Sequence, residues 1–180
     1  MRFKTILKSL LFLTGVIFLP AAMPSKKDTP PEMTAFIEKK WPGSKMVLIS
    51  QQPDSKSRTI LYKITQSIDT LGWAYTRRVY SCRNGGCDQL SLTDESSSRE
   101  YFEYFAIIDN QHRITDIKVY NYAATHGEEI CSKAWLKQFK GYKGAKPLRY
   151  GKDIDAISGA TISGKAITED ISSSMIQLKK

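Results

Sequence analysis

Two β-rich runs, Tyr101 to Ile108 and Ile114 to Tyr122, flank the polar stretch Asp109-Asn110-Gln111-His112. A short turn-forming segment between two such runs reads as an antiparallel hairpin. Such a hairpin is only marginally stable alone and needs further strands or a covering layer. The chain supplies both. Lys45 to Gln51 reads as a strand and Asp54 to Arg58 as a polar turn. Thr59 to Thr65 and Trp73 to Ser81 alternate, are β-rich, and read as two more strands. Asp88 to Arg99 is polar, rich in serine, and expected to be a loop.

Helical spacing appears at three places. Met33, Phe36, Ile37 and Trp41 mark a first helix, capped by Asp28 or Thr29 and stopped by Pro42-Gly43. Cys131, Trp135 and Phe139 fall four apart, with Ala134 beside them, and predict a helix over Glu128 to Lys140 ended by Gly141. A basic loop, Lys143 to Lys152, follows. The last helix begins near Thr161 and runs to about Gln177, with Ile167, Ile171, Met175 and Leu178 as its apolar stripe. The order of elements predicts an α+β domain: antiparallel strands with helices packed on the sheet.

With 180 residues, 41% of them apolar, the chain can build one real core plus a short extension. Met1 to Lys8 carries three positive charges and no negative one. Leu10 to Leu19 is a compact apolar run, followed by Pro20-Ala21-Ala22 and the polar Ser25-Lys26-Lys27-Asp28. This is the layout of a secretory signal, and the run is short against the roughly 20 residues that span a bilayer. Pro20 and Pro24 make a poor cleavage site, so residues 1–22 are read as a signal peptide or as an uncleaved N-terminal membrane anchor. In either case the rest is expected outside the cytoplasm, periplasmic or held at the outer face of the cytoplasmic membrane. The net charge of +9 invites a nucleic-acid reading. Three of the positive charges, Arg2, Lys4 and Lys8, belong to that leader, and the rest form no basic helix or arm, so no nucleic-acid partner is expected. Two histidines and three cysteines leave little material for a metal enzyme.

The cysteines agree with an oxidising compartment. Cys82 and Cys87 bracket Arg83-Asn84-Gly85-Gly86, which lets the chain turn back tightly. A disulfide closing this loop is the preferred reading. Its rivals are a redox-active pair and half of a zinc site, the latter lacking a second ligand pair. Cys131 is expected to be a buried thiol.

Asp155-Ala156-Ile157-Ser158-Gly159-Ala160-Thr161 is a small-residue loop feeding the last helix. First-turn amides of a helix lack partners and its dipole favours an anion, so a phosphate near Thr161 is well placed. Gly159 to Lys165 also fits G-x-x-x-x-G-K, but Ala166 stands where a nucleotide P-loop needs Ser or Thr for magnesium. The plain alternative is a helix start capped by Ser158 or Thr161.

The stretch D-x-x-S-G-A-T at Asp155 to Thr161 resembles the flavinylation motif of the FMN-binding domain family, found in ion-pumping membrane redox complexes and exported flavoproteins. The resemblance covers roughly Tyr101 to Leu178. The hairpin FAIIDNQHRITDIKVYNY is similar to the family's strand–turn–strand. Ala124-Thr125-His126-Gly127-Glu128 stands where the family usually has Glu-Thr-Pro-Gly, keeping Thr125 and Gly127 but replacing the Glu and Pro. Trp135 to Gly141 resembles its helix end. The resemblance implies an FMN-binding domain over residues 101–180, with 23–100 as the N-terminal part of the domain. It implies FMN joined through a phosphoester to Thr161 by a flavin transferase that reads Asp155, Ser158, Gly159 and Ala160, and it places these residues together with Thr125 and Gly127 at the cofactor. It further implies an exported flavoprotein in electron transfer with membrane or periplasmic redox partners, more a carrier than a self-sufficient enzyme. The rival readings are an exported flavin-dependent reductase of a small substrate and a non-redox ligand-binding module.

Overall fold

A computed structural model describes residues 29–53, 58–83 and 99–178. The leader, the turn at 54–57 and most of the serine-rich loop lie outside the described residues, as do Cys87 and the Cys82 side chain. The expectations about the signal segment and the Cys82–Cys87 bridge therefore fall outside them too.

Five antiparallel strands run as a meander in the order of the chain: β1 (Lys45–Pro53), β2 (Arg58–Gln66), β3 (Asp69–Arg83), β4 (Arg99–Asp109) and β5 (Ile114–Tyr122). All five lie where β-rich sequence predicts them, and β5 has the expected limits. β3 starts four residues earlier than Trp73. Ser67 adopts φ +54°, so Ser67-Ile68 turns β2 tightly into Asp69. Gly72 then continues the ladder, its Cα so near β4 that a Cβ there would lie 2.1 Å from the Ile108 carbonyl oxygen. In the β4–β5 turn the Asp109 carboxylate accepts the amides of Gln111 and Arg113, each at 2.9 Å. His112, at φ +59°, stacks on Trp73.

Alternation along the strands divides the apolar residues between two faces. Phe105, Ile107, Ile60, Tyr62, Ile64 and Ala74 meet Met33 and Ile37 of helix α1 (Pro31–Lys40). Phe102, Tyr104, Ala106, Ile108, Tyr75 and Val79 face the other way, against helix α3 (Thr161–Gln177) and the segment before it. The sheet is thus the middle of three layers. The predicted capping of α1 by Thr29 is corrected. Pro30 is the N-cap and makes no side-chain bond, while the Thr29 hydroxyl pairs with the Tyr62 hydroxyl at 3.0 Å.

The predicted continuous helix from Glu128 to Lys140 is also corrected. The chain forms a 3₁₀ turn (Glu128–Cys131), a short helix α2 (Lys133–Leu136) and a second 3₁₀ turn (Lys137–Phe139), broken at Ser132, whose ψ of 124° is extended. A straight helix would bury only Cys131, Trp135 and Phe139. The break turns Ile130 and Leu136 inward as well, leaving Cys131 half-buried and Ala134 exposed. α3 has the predicted span, with Ile167, Ile171 and Met175 fully buried and Leu178 at the margin.

Candidate functional site

The Asp155–Ala160 loop is fastened from both sides. The Trp135 indole N–H donates to the Asp155 carbonyl at 2.8 Å, and the Asp155 amide donates to Gln138 Oε1 at 2.9 Å. Trp135 is itself buried and edge-on to Phe139, so a core residue carries the hydrogen bond that aims the loop. Two residues on, the Ile157 amide donates to the Tyr150 hydroxyl at 2.9 Å. The Tyr150 ring lies against Gly164 of α3, where a Cβ would fall 2.5 Å from it. Gly164 inside the helix is therefore a contact requirement, and a glycine in a helical stretch signals a close neighbour without naming Tyr150 as that neighbour.

Gly159 adopts φ +84°, a conformation open to glycine, and a Cβ there would stand 2.6 Å from Glu129 Oε1. Ala160 is the N-cap of α3 and offers no side-chain cap bond. Neither Ser158 nor Thr161 caps the helix, contrary to the plain reading of the motif. Thr161 is the first helical residue and its side chain is exposed, as are those of Asp155 and Ser158. The helix thus begins with free amide donors and an accessible hydroxyl beside them. Because Thr161 onward is helical, Gly159 to Lys165 cannot form a nucleotide-cradling loop. Lys165, one turn along on the same side, is exposed.

The Thr125 and Gly127 segment reaches α3 through Gly127, which sits at φ +95°. A Cβ on Gly127 would be 2.8 Å from both Ser163 Oγ and the Tyr122 hydroxyl. That hydroxyl donates to the His126 carbonyl at 2.6 Å and lies 2.9 Å from Ser163 Oγ. Thr125 uses both its amide and its hydroxyl on the Glu100 carboxylate. The structure therefore brings Gly127 against the first turn of α3, while Thr125 secures the outer end of its loop. Burial pushes the Cys131 thiol above its usual pKa, with the Glu128 charge adding to the effect, so it is no ready thiolate nucleophile.

Beneath the site, α3 is fixed to the sheet by polar groups that the sequence alone did not single out. Arg77 Nε reaches both Asp170 oxygens, at 3.2 and 3.1 Å, and the Tyr104 hydroxyl donates to Asp170 Oδ2 at 2.6 Å. Burial, and then the Asp170 charge, push the Tyr104 phenol well above its ordinary pKa, so it remains a donor. Nothing in the strand pattern reveals that Arg77 points at a helix 93 residues later.

An exposed hydroxyl beside an uncapped helix start fits a phosphate-bearing cofactor. Residues 102–174 match the family model of the FMN-binding domain. No curated protein matches the chain.

Proposed function

We propose, from the premise that residues 102–174 are an FMN-binding domain, that this flavoprotein carries its FMN as a phosphoester on Thr161 and serves as an extracytoplasmic electron carrier. The observation that carries the linkage is the exposed Thr161 hydroxyl at the first position of an uncapped helix, behind a loop braced by Trp135, Gln138 and Tyr150. In the attachment step the Thr161 oxygen bonds to the FMN phosphorus of FAD. The pyrophosphate bond breaks, AMP leaves, and the hydroxyl proton passes to a base on the flavin transferase. Gly159 and Ala160 keep the approach open. The first-turn amides of α3 offset the phosphate charge. The Asp155 backbone is held while its side chain is exposed, which suits it to be read by the transferase together with Ser158.

A bound flavin supplies one- and two-electron transfer. The secretory layout of residues 1–22 supports an extracytoplasmic setting, and permanent attachment suits a compartment where lost cofactor is not easily replaced. Membrane or periplasmic redox proteins are the partners this reading requires.

The test is intact mass and in-gel fluorescence after denaturation, for protein co-expressed with a flavin transferase. Wild type should carry one FMN adduct. Thr161→Ala should lose it with stability changed by no more than about 0.5 kcal/mol, since the exposed side chain makes no cap. Thr161→Ser should keep part of the attachment, and Asp155→Ala should reduce it in a folded protein. Wild type without an adduct, or fluorescence persisting in Thr161→Ala, would overturn the assignment.

A further inference from the structure

The basic loop singled out in the sequence belongs to a longer run. From Lys133 to Lys152 the chain carries seven basic residues and no acidic one. Lys140 pairs with Asp116, and Lys146 and Arg149 pair with Asp153. Lys133, Lys137, Lys143 and Lys152 are exposed and make no ion pair among the described residues. The run is tied to the site along its length. Lys133 and Lys137 bracket Trp135, and Lys137 precedes Gln138, the two residues bonded to Asp155. Lys152 stands three residues before Asp155. At the far end Gly144 packs on the Met175 backbone, so the run follows α3 from one end to the other.

The acidic residues near the site come by another route. Glu129 lies against Gly159, Glu128 is its neighbour, and Glu100 is held by Thr125. Lysines outnumber carboxylates on the α2 and Tyr150 side, where Asp153 is paired with Lys146 and Arg149 and Asp155 is exposed, while Glu100, Glu128 and Glu129 lie on the Thr125–Glu129 side. Ile162, beside Thr161, is 47% exposed and gives this face an apolar centre.

We propose that this lysine belt is the docking surface for an acidic redox protein that would exchange electrons with the flavin carried at Thr161; the proposal rests on the electron-carrier reading. Weak redox encounters use small interfaces with a charged rim. A polarised field both speeds the encounter and fixes its orientation. Lysine, a hydrated point charge, suits such a transient contact better than the bidentate grip arginine gives to phosphate. Ile162 is the one large exposed apolar side chain on the α3 side among the described residues, too little to insert into a bilayer, and this favours an acidic protein over an anionic membrane.

The experiment uses the purified flavinylated protein and, as probe, an acidic plant-type [2Fe–2S] ferredoxin, with basic cytochrome c as the opposite charge control. Two reduced ferredoxins give one electron each, and solvent gives two protons, per flavin fully reduced. Affinity is read by calorimetry and the reduction rate by stopped flow, at low and high salt. Ferredoxin binding and reduction rate should fall about tenfold or more on adding salt beyond the Debye-screening range. Lys137→Gln/Lys152→Gln should show a similar loss at low salt while reduction by dithionite stays unchanged. Lys39→Gln/Lys45→Gln, which removes equal charge from exposed sites on α1 and β1, should behave as wild type. Equal losses in both double variants, salt-independent binding, or binding to phosphatidylglycerol vesicles but not to ferredoxin would overturn the proposal. Calorimetry on protein made without transferase separates the two readings, because the belt binds ferredoxin with or without the flavin.

Discussion

The layers on the two faces of the sheet do the same geometric task and are fastened by different means. α1 rests on Met33 and Ile37, with ion pairs only at its rim: Glu32 to Lys118 at 3.3 Å and Lys40 to Asp116 at 3.6 Å. α3 has a broader apolar contact and, under it, the Arg77–Asp170–Tyr104 network. Its N-terminal loop is then braced by Trp135, Gln138 and Tyr150. Apolar burial holds a helix near a sheet but is non-directional. Hydrogen bonds between buried groups set rotation and register, and a reactive residue at a helix start needs both. The layer that presents Thr161 is fixed directionally both along the helix and in its leading loop, whereas α1 has, besides its rim pairs, the Thr29–Tyr62 hydroxyl contact ahead of its first residue.

The largest expected difference is between two carboxylates. Asp170→Ala would leave Arg77 and the buried Tyr104 hydroxyl without their partner, and should cost about 3 kcal/mol or more. Glu32→Ala removes a rim pair and should cost about 1 kcal/mol or less. Urea denaturation measures both, and equal costs would remove the contrast between the layers. Gly159→Ala comes next. Its φ of +84° and the nearby Glu129 carboxylate should together cost about 1–2 kcal/mol. Flavin attachment should fall further than stability does. Adding Glu129→Ala should recover only part of the loss, because the backbone strain remains.

Trp135→Phe tests the brace alone. It removes one hydrogen bond to the Asp155 carbonyl and should cost about 1 kcal/mol, with slower flavin attachment seen in timed intact-mass samples. Unchanged attachment kinetics would mean the loop is positioned without that bond.

The smallest effects separate the layers by pH. Glu32 is held below its usual pKa by its own backbone amide, against a small opposing burial, with Lys118 assisting. Burial raises Asp116, but Lys140 outweighs it and the net direction is down. Stability from these depressed carboxylates is present above their unfolded pKa values and lost as pH falls through the folded ones. Tyr104 has the opposite sign: its raised pKa gives stability that is full below about pH 10, the unfolded value, and lost as pH rises beyond. Acid below about pH 4 should therefore weaken the α1 rim through Glu32, and alkali above about pH 10 should weaken the α3 anchor through Tyr104. Hydrogen exchange across the pH range reads both.

Alternation and turn chemistry are local, so β5 and α3 could be delimited before any contact was known. The break at Ser132 was not legible, because Cys131, Trp135 and Phe139 keep helical spacing. Only the sheet face decides that Ile130 and Leu136 must also turn inward. The Asp155–Thr161 motif and its place before a helix were legible. Its support was not: Gln138, Tyr150 and Glu129 carry no local sign of serving a loop 7 to 30 residues away. The sequence by itself determined the strands, the first and last helices and the small-residue loop at a helix start, because periodicity, turn residues and helix-end amides act over a few residues; Thr161 as candidate attachment residue came from the resemblance of Asp155 to Thr161 to the flavinylation motif. The tertiary structure decided that three strands outside 102–174 complete the sheet under that domain. It also decided that Arg77 of one of those strands anchors the helix bearing Thr161, because such pairings depend on which faces meet once the chain has closed on itself.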